Sequence, residues 1–115
     1  MDVYPFGYRL PRFHTDFHLC LQVEEIHSGL LHGLCTDISE HGLRAQVQHT
    51  LPIGSAVTLI MSLPGSQAVR ITARILSRQH DSYGFGFVFS SDQQRECIRR
   101  YIDSLSSPTV TRARR

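Results

Sequence analysis

A period-two alternation of apolar and polar residues recurs along this chain in short stretches, each cut off by glycine, proline or small polar residues. Successive side chains of a strand point to opposite faces, so such a stretch buries one face and wets the other. Residues 16–27 put Phe17, Leu19, Leu21 and Val23 on one face and His18, Gln22 and Glu24 on the other. Ser28-Gly29 signals a tight turn, and residues 30–36 read as the returning strand. Alternation resumes over 42–49 with Leu43, Ala45 and Val47 inward, and over 56–63 with Val57, Leu59, Met61 and Leu63 inward. Between those two, Leu51-Pro52-Ile53-Gly54 makes a corner, and Pro64-Gly65-Ser66 closes the next hairpin. A fifth stretch, 69–75, turns Val69, Ile71, Ala73 and Ile75 away from Arg70, Thr72 and Arg74. After a polar turn at 79–82, the aromatic stretch 83–89 carries Gly84 and Gly86, which signal a bulge or the close approach of another backbone.

The period then changes. Ser91 followed three residues later by Gln94 is a capping-box pattern, and Ile98, Tyr101, Ile102 and Leu105 recur at helical spacing with Arg95, Arg99 and Asp103 opposite. Six strands at roughly ten-residue spacing and one closing helix predict a mainly β fold, a six-stranded antiparallel barrel with a C-terminal helix. Residues 16–105 would form barrel and helix, 1–15 a flexible N-terminal arm, and 106–115 a disordered basic tail with too few apolar groups to pack.

A chain of 115 residues suits one domain. Its 41% apolar and 19% charged residues are those of an ordinary globular protein. No apolar run reaches the length of a membrane span, and Met1-Asp2-Val3-Tyr4-Pro5 opens no signal peptide, so a cytoplasmic protein is expected. Cys20, Cys35 and Cys97 are odd in number and widely spaced, which argues for reduced thiols. A net charge of +2 is too small for non-specific nucleic-acid binding, and no nucleic-acid partner is expected. All twelve basic residues are arginine. Coding bias explains that, as does arginine's planar fork, which suits guanine and phosphate.

Catalytic and metal patterns are weak. His14 and His18 stand four apart on an extended segment, too distant to chelate one ion as a helical pair would, and no Cys-x-x-Cys accompanies them. Asp37, Ser39 and His41 hold the residue types of a hydrolytic triad within one tight turn, where triad geometry does not follow. With no Gly-x-Ser-x-Gly elbow and no P-loop either, no enzymatic activity, metal or cofactor is expected.

The segment that carries a binding function is Asp37-Ile38-Ser39-Glu40-His41-Gly42. Read alone it is a turn in which Asp and Ser cap local amides and Gly42 takes a positive φ. In its setting it resembles the PilZ family, whose signature pairs an RxxxR motif before the first strand with DxSxxG between the second and third. Asp37, Ser39 and Gly42 match the second motif, and Tyr83-Gly84-Phe85-Gly86-Phe87-Val88-Phe89 is similar to the strand that ends a PilZ barrel. The resemblance spans about residues 8 to 105 and implies a receptor for the bacterial second messenger cyclic di-GMP, in touch with a downstream protein, as a monomer or weak dimer. The arginine motif departs from the family. In Tyr8-Arg9-Leu10-Pro11-Arg12-Phe13 two residues separate the arginines. If Arg12 takes the second place, Tyr8 occupies the first, and if Arg9 takes the first, Phe13 occupies the second. The former is preferred because Pro11-Arg12 leads into the strand.

By that resemblance Arg9, Arg12, Asp37, Ser39 and Gly42 bind the ligand, and Tyr8 is placed to stack on a base. A guanidinium matches guanine O6 and N7 or clamps phosphate, and an ionised Asp37 accepts from guanine N1–H and N2–H. Arg44 follows the motif and alternates away from Leu43 and Ala45; it either faces the same site or, the plainer reading, is an exposed strand arginine. The alternative is a PilZ-fold protein–protein adaptor that does not bind nucleotide, supported by the altered arginine spacing.

Overall fold

The computed structural model describes residues 11–24, 26, 29–63 and 67–111, with side chains through Leu105. Among the described residues six strands follow in order: β1 (Phe13–Val23), β2 (Leu31–Ile38), β3 (Gly42–Val47), β4 (Ala56–Ser62), β5 (Ala68–Gln79) and β6 (Ser82–Val88). A helix, α1 (Asp92–Thr111), comes last. The strands close into a barrel in the order β1-β2-β3-β6-β5-β4, and every neighbouring pair is antiparallel.

Alternation places the core as the sequence predicts. Phe17, Leu19, Leu21 and Val23 are buried, as are Leu43, Ala45 and Val47, and Val57, Leu59 and Met61. Tyr83 and Phe85 of β6 fill the interior beside them. Tyr83 has a polar end to satisfy: its hydroxyl donates to the His49 carbonyl at 2.9 Å and accepts from the Leu51 N–H at 3.0 Å, which pins the corner after β3. Ile98, Tyr101 and Ile102 of α1 cover the barrel at β1, where Tyr101 meets Phe17 edge-on at 5.5 Å. The hydroxyls of Tyr101 and Thr15 share a 2.5 Å hydrogen bond. Ser91 accepts from the Gln94 N–H, while the Gln94 side chain accepts from the Ser90 N–H and donates to the Arg70 carbonyl. The capping box therefore also ties the helix to β5.

Several element boundaries differ from the expected ones. β1 begins at Phe13 and ends at Val23, because Phe13 and His14 still pair with Ile38 and Asp37. β2 runs through Asp37 and Ile38, which the sequence puts in a polar turn; Ile38 is fully buried, and only residues 39–41 turn. β5 continues to Gln79 past a shift in register at Leu76. α1 extends to Thr111, beyond the last residue of its apolar stripe. The expected hairpin at Pro64-Gly65-Ser66 and the Ser28 side of the first turn lie outside the described residues. No described helix is long and apolar enough to cross a membrane.

Candidate functional site

Three register shifts surround one patch of the barrel's outer face. On β2, Cys35 pairs with Ala45 but Asp37 pairs with Arg44, so Thr36 is an extra residue. Strict alternation from the buried Leu31 and Cys35 would send Asp37 inward; the bulge turns it out and returns Ile38 to the core. A second shift, between His14 and Phe17 of β1, matches it across the ladder. The third makes Leu76 the extra residue of β5, opposite Gly84 and Phe85.

The consequence is a row across the barrel wall. His14, Asp37, Arg44, Gly84 and Ser77 are successive register partners on β1, β2, β3, β6 and β5. Arg12, just before β1, reaches over the row. Its Nε and Nη2 donate to Asp37 Oδ1 at 3.0 and 2.6 Å, leaving Oδ2 outside the pair. The arginine side chain is 45% exposed and the carboxylate 19%. These two predicted ligand residues, 25 positions apart, are thus brought together. Arg9 and Tyr8 lie outside the described residues.

Ser39 and Gly42 are local. Ser39 is buried; its hydroxyl donates to the Gly42 carbonyl at 3.4 Å and accepts from the His41 N–H at 3.3 Å. The Ser39 N–H donates to the same carbonyl at 2.8 Å, so both polar groups of Ser39 close the turn. The positive φ expected at Gly42 is absent: the described glycines with positive φ are Gly29 and Gly54. Gly42 is extended in β3, and a Cβ there would collide with the Phe85 carbonyl oxygen. A neighbouring backbone therefore occupies the space that a side chain would need.

Arg44 is the residue that sequence reasoning undervalued. It is half-buried, its Nη1 donates to Ser82 Oγ at 3.4 Å, and its Nη2 lies 3.6 Å from where a Gly84 Cβ would sit. Its position directly beside Asp37 follows from the Thr36 bulge, which alternation does not reveal. Behind the patch, Cys35 donates its thiol proton to the Asp37 carbonyl, and burial, reinforced by the Asp37 charge, pushes the thiol up to about 12. Tyr101 is likewise raised, chiefly by burial.

With this geometry in view, the comparison with known families is specific. The PilZ domain model matches residues 9–104. The chain belongs to the PilZ domain family. Solved PilZ structures share its fold. The PilZ domain of CeSA from a cellulose-synthesizing bacterium aligns with a TM-score of 0.69 and 18% identity, covering 84% of this chain and 98% of that one. The PilZ domain of YcgR from Escherichia coli, solved with c-di-GMP, aligns at 0.72 and 15% identity over 92% of this chain and 96% of the other. The complex of K. pneumonia MrkH with c-di-GMP aligns at 0.69 and 14% identity, over 91% of this chain and 54% of that one. No curated protein matches the sequence. In PilZ terms, the DxSxxG residues here divide their work: Asp37 presents a carboxylate to solvent, while Ser39 and Gly42 shape the turn and strand behind it.

Proposed function

We propose that this PilZ domain is a receptor for cyclic di-GMP that binds the nucleotide on the Arg12–Asp37 face and passes the signal to a downstream protein. The observation that carries this reading is the contact of Arg12 with Asp37, one residue from each of the two motifs, on the outside of the barrel. The ligand offers acceptors at guanine O6 and N7 and on two phosphates, and donors at guanine N1 and N2. Asp37 Oδ2 is the acceptor for those donors. Arg12 keeps nearly half of its side chain in solvent, from which its remaining N–H groups meet phosphate or the Hoogsteen edge. Arg9 is a further ligand arginine in this reading. Ser39 contributes by holding the turn, and Gly42 by letting β6 lie close. The c-di-GMP complexes of YcgR and MrkH support the same ligand class for this fold.

Binding orders the N-terminal arm against the barrel, and the ordered arm presents the surface that the downstream protein reads. Calorimetric titration with cyclic di-GMP, with GTP as control, tests the reading. Saturable binding at micromolar or tighter affinity, absent for GTP and lost in Asp37→Asn, is the expected result. No heat and no rise in melting temperature at high nucleotide would overturn the receptor reading and turn the search to protein partners.

A further inference from the structure

We infer that Arg44 is a third ligand-contacting arginine and takes over the part of the guanidinium missing from the first place of the RxxxR motif; this rests on the cyclic di-GMP reading above. Arg12 is committed to Asp37, so that pair presents almost no net charge to an anion. Arg44 sits one strand away, in register with Asp37, and among the described residues it bonds the neutral Ser82 and meets no carboxylate. A cyclic dinucleotide with two phosphates needs cationic partners, and on this row Arg44 is the arginine whose charge is left uncancelled.

Shape supports the same assignment. Gly84 is the register partner of Arg44 on β6, and the Arg44 Nη2 lies 3.6 Å from where a Gly84 Cβ would be, in ordinary contact distance of that bare strand position. The Ser82 bond fixes one end of the fork, so less rotamer freedom remains to be lost on binding. Leu76, extra in its strand and 62% exposed, bounds the patch on the far side, its Cδ1 lying 2.9 Å from where a Gly86 Cβ would be. A guanidinium over glycine with a leucine wall is a platform for a flat purine, and its free N–H edge reaches a phosphate or guanine O6 and N7. Tyr8 stands where the first arginine of the motif belongs when Arg12 takes the second. Arg44 supplies that charge from the barrel wall.

The test is a set of titrations with cyclic di-GMP on the full chain. Arg44→Ala is expected to weaken binding about tenfold or more, the scale of losing a bond to a charged group. Arg44→Lys, which keeps charge but not the planar fork, recovers little of it. The decisive variant is Tyr8→Arg in the Arg44→Ala background, which completes the RxxxR motif ahead of β1 and should return most of the affinity. A structural role for Arg44 would lower the melting temperature and would not be rescued from residue 8. Arg99→Ala, on the helix and paired with Glu96, serves as the control that changes nothing. Parent-like binding by Arg44→Ala overturns the inference. A loss that Tyr8→Arg fails to repair overturns the replacement. A parent that binds no nucleotide overturns the receptor reading itself, and the role of Arg44 with it.

Discussion

The two sides of this barrel are built by different rules. Around β4 the ladders are uninterrupted: Leu19 to Val23 pair with Met61 to Val57, and Ala56 to Ser62 pair with Arg74 to Ala68, without a shift. Across the barrel, the β1–β2, β2–β3 and β5–β6 ladders each slip once, and the slips surround Asp37, Arg44 and Gly84. Regular pairing gives a wall whose outer face carries Gln22, Thr58 and Thr72 in register. Irregular pairing re-aims side chains, so that a carboxylate and a guanidinium from neighbouring strands share the outer surface while Ile38 still reaches the core. The comparison teaches that the site is made by departures from the same alternation that builds the core.

Substitutions can break this contrast. The largest effect is expected from Gly42→Ala, whose Cβ would collide with the Phe85 carbonyl. Because the obstacle is backbone, urea denaturation should show a loss of about 3 kcal/mol or more. Thr58→Ala on the regular side should cost less than about 1 kcal/mol. Equal losses would mean that the close β3–β6 approach is not a constraint. Next comes Tyr83→Phe, which orphans the Leu51 N–H and the His49 carbonyl and is expected to cost about 2 kcal/mol in the same assay.

A smaller effect concerns pH. Folding holds the Cys35 proton up to about 12, whereas the unfolded chain gives it up near 9.0. Stability therefore falls as pH rises through that window, and Cys35→Ala should flatten the fall in melting temperature. A fall unchanged in Cys35→Ala would assign it to other groups, Tyr101 first. In the folded protein at about pH 8, iodoacetamide should label the half-exposed Cys20 and Cys97 and spare Cys35 until denaturant is added, as peptide mapping would show. The smallest change in stability is expected from Arg12→Ala: with 45% of the side chain exposed, its ion pair contributes less than about 1 kcal/mol. A larger loss would make the pair a structural clasp and sharpen the distinction between fold and binding at this face.

The sequence made the core legible and the site only partly so. Leu19, Leu21, Leu59 and Ile71 follow strict alternation, and each lies inside. The helix was legible because Ser91 and Gln94 mark its start and its stripe covers one face. Asp37 was legible as a motif residue but not as part of a strand, since a single extra residue at Thr36 leaves no compositional trace. The same bulge hid the pairing of Asp37 with Arg44. Leu76 was equally unreadable, because an apolar residue out of phase looks like the end of a strand and β5 instead continues to Gln79. Gly42 was read as a turn residue, whereas its requirement comes from Phe85 of β6, far away in the chain. Only register carries that information.

The closure of the barrel has a consequence for communication. Every described strand has a hydrogen-bonded neighbour on both sides, including β4 against β1. Backbone groups along the ladders are thus already spoken for, and the described strands leave no edge onto which another polypeptide could add a strand. A protein that recognises this domain must read side chains, loops or the helix. Chemical detail at the surface, such as which guanidinium is covered and which is bare, is then the alphabet in which any message leaves the barrel.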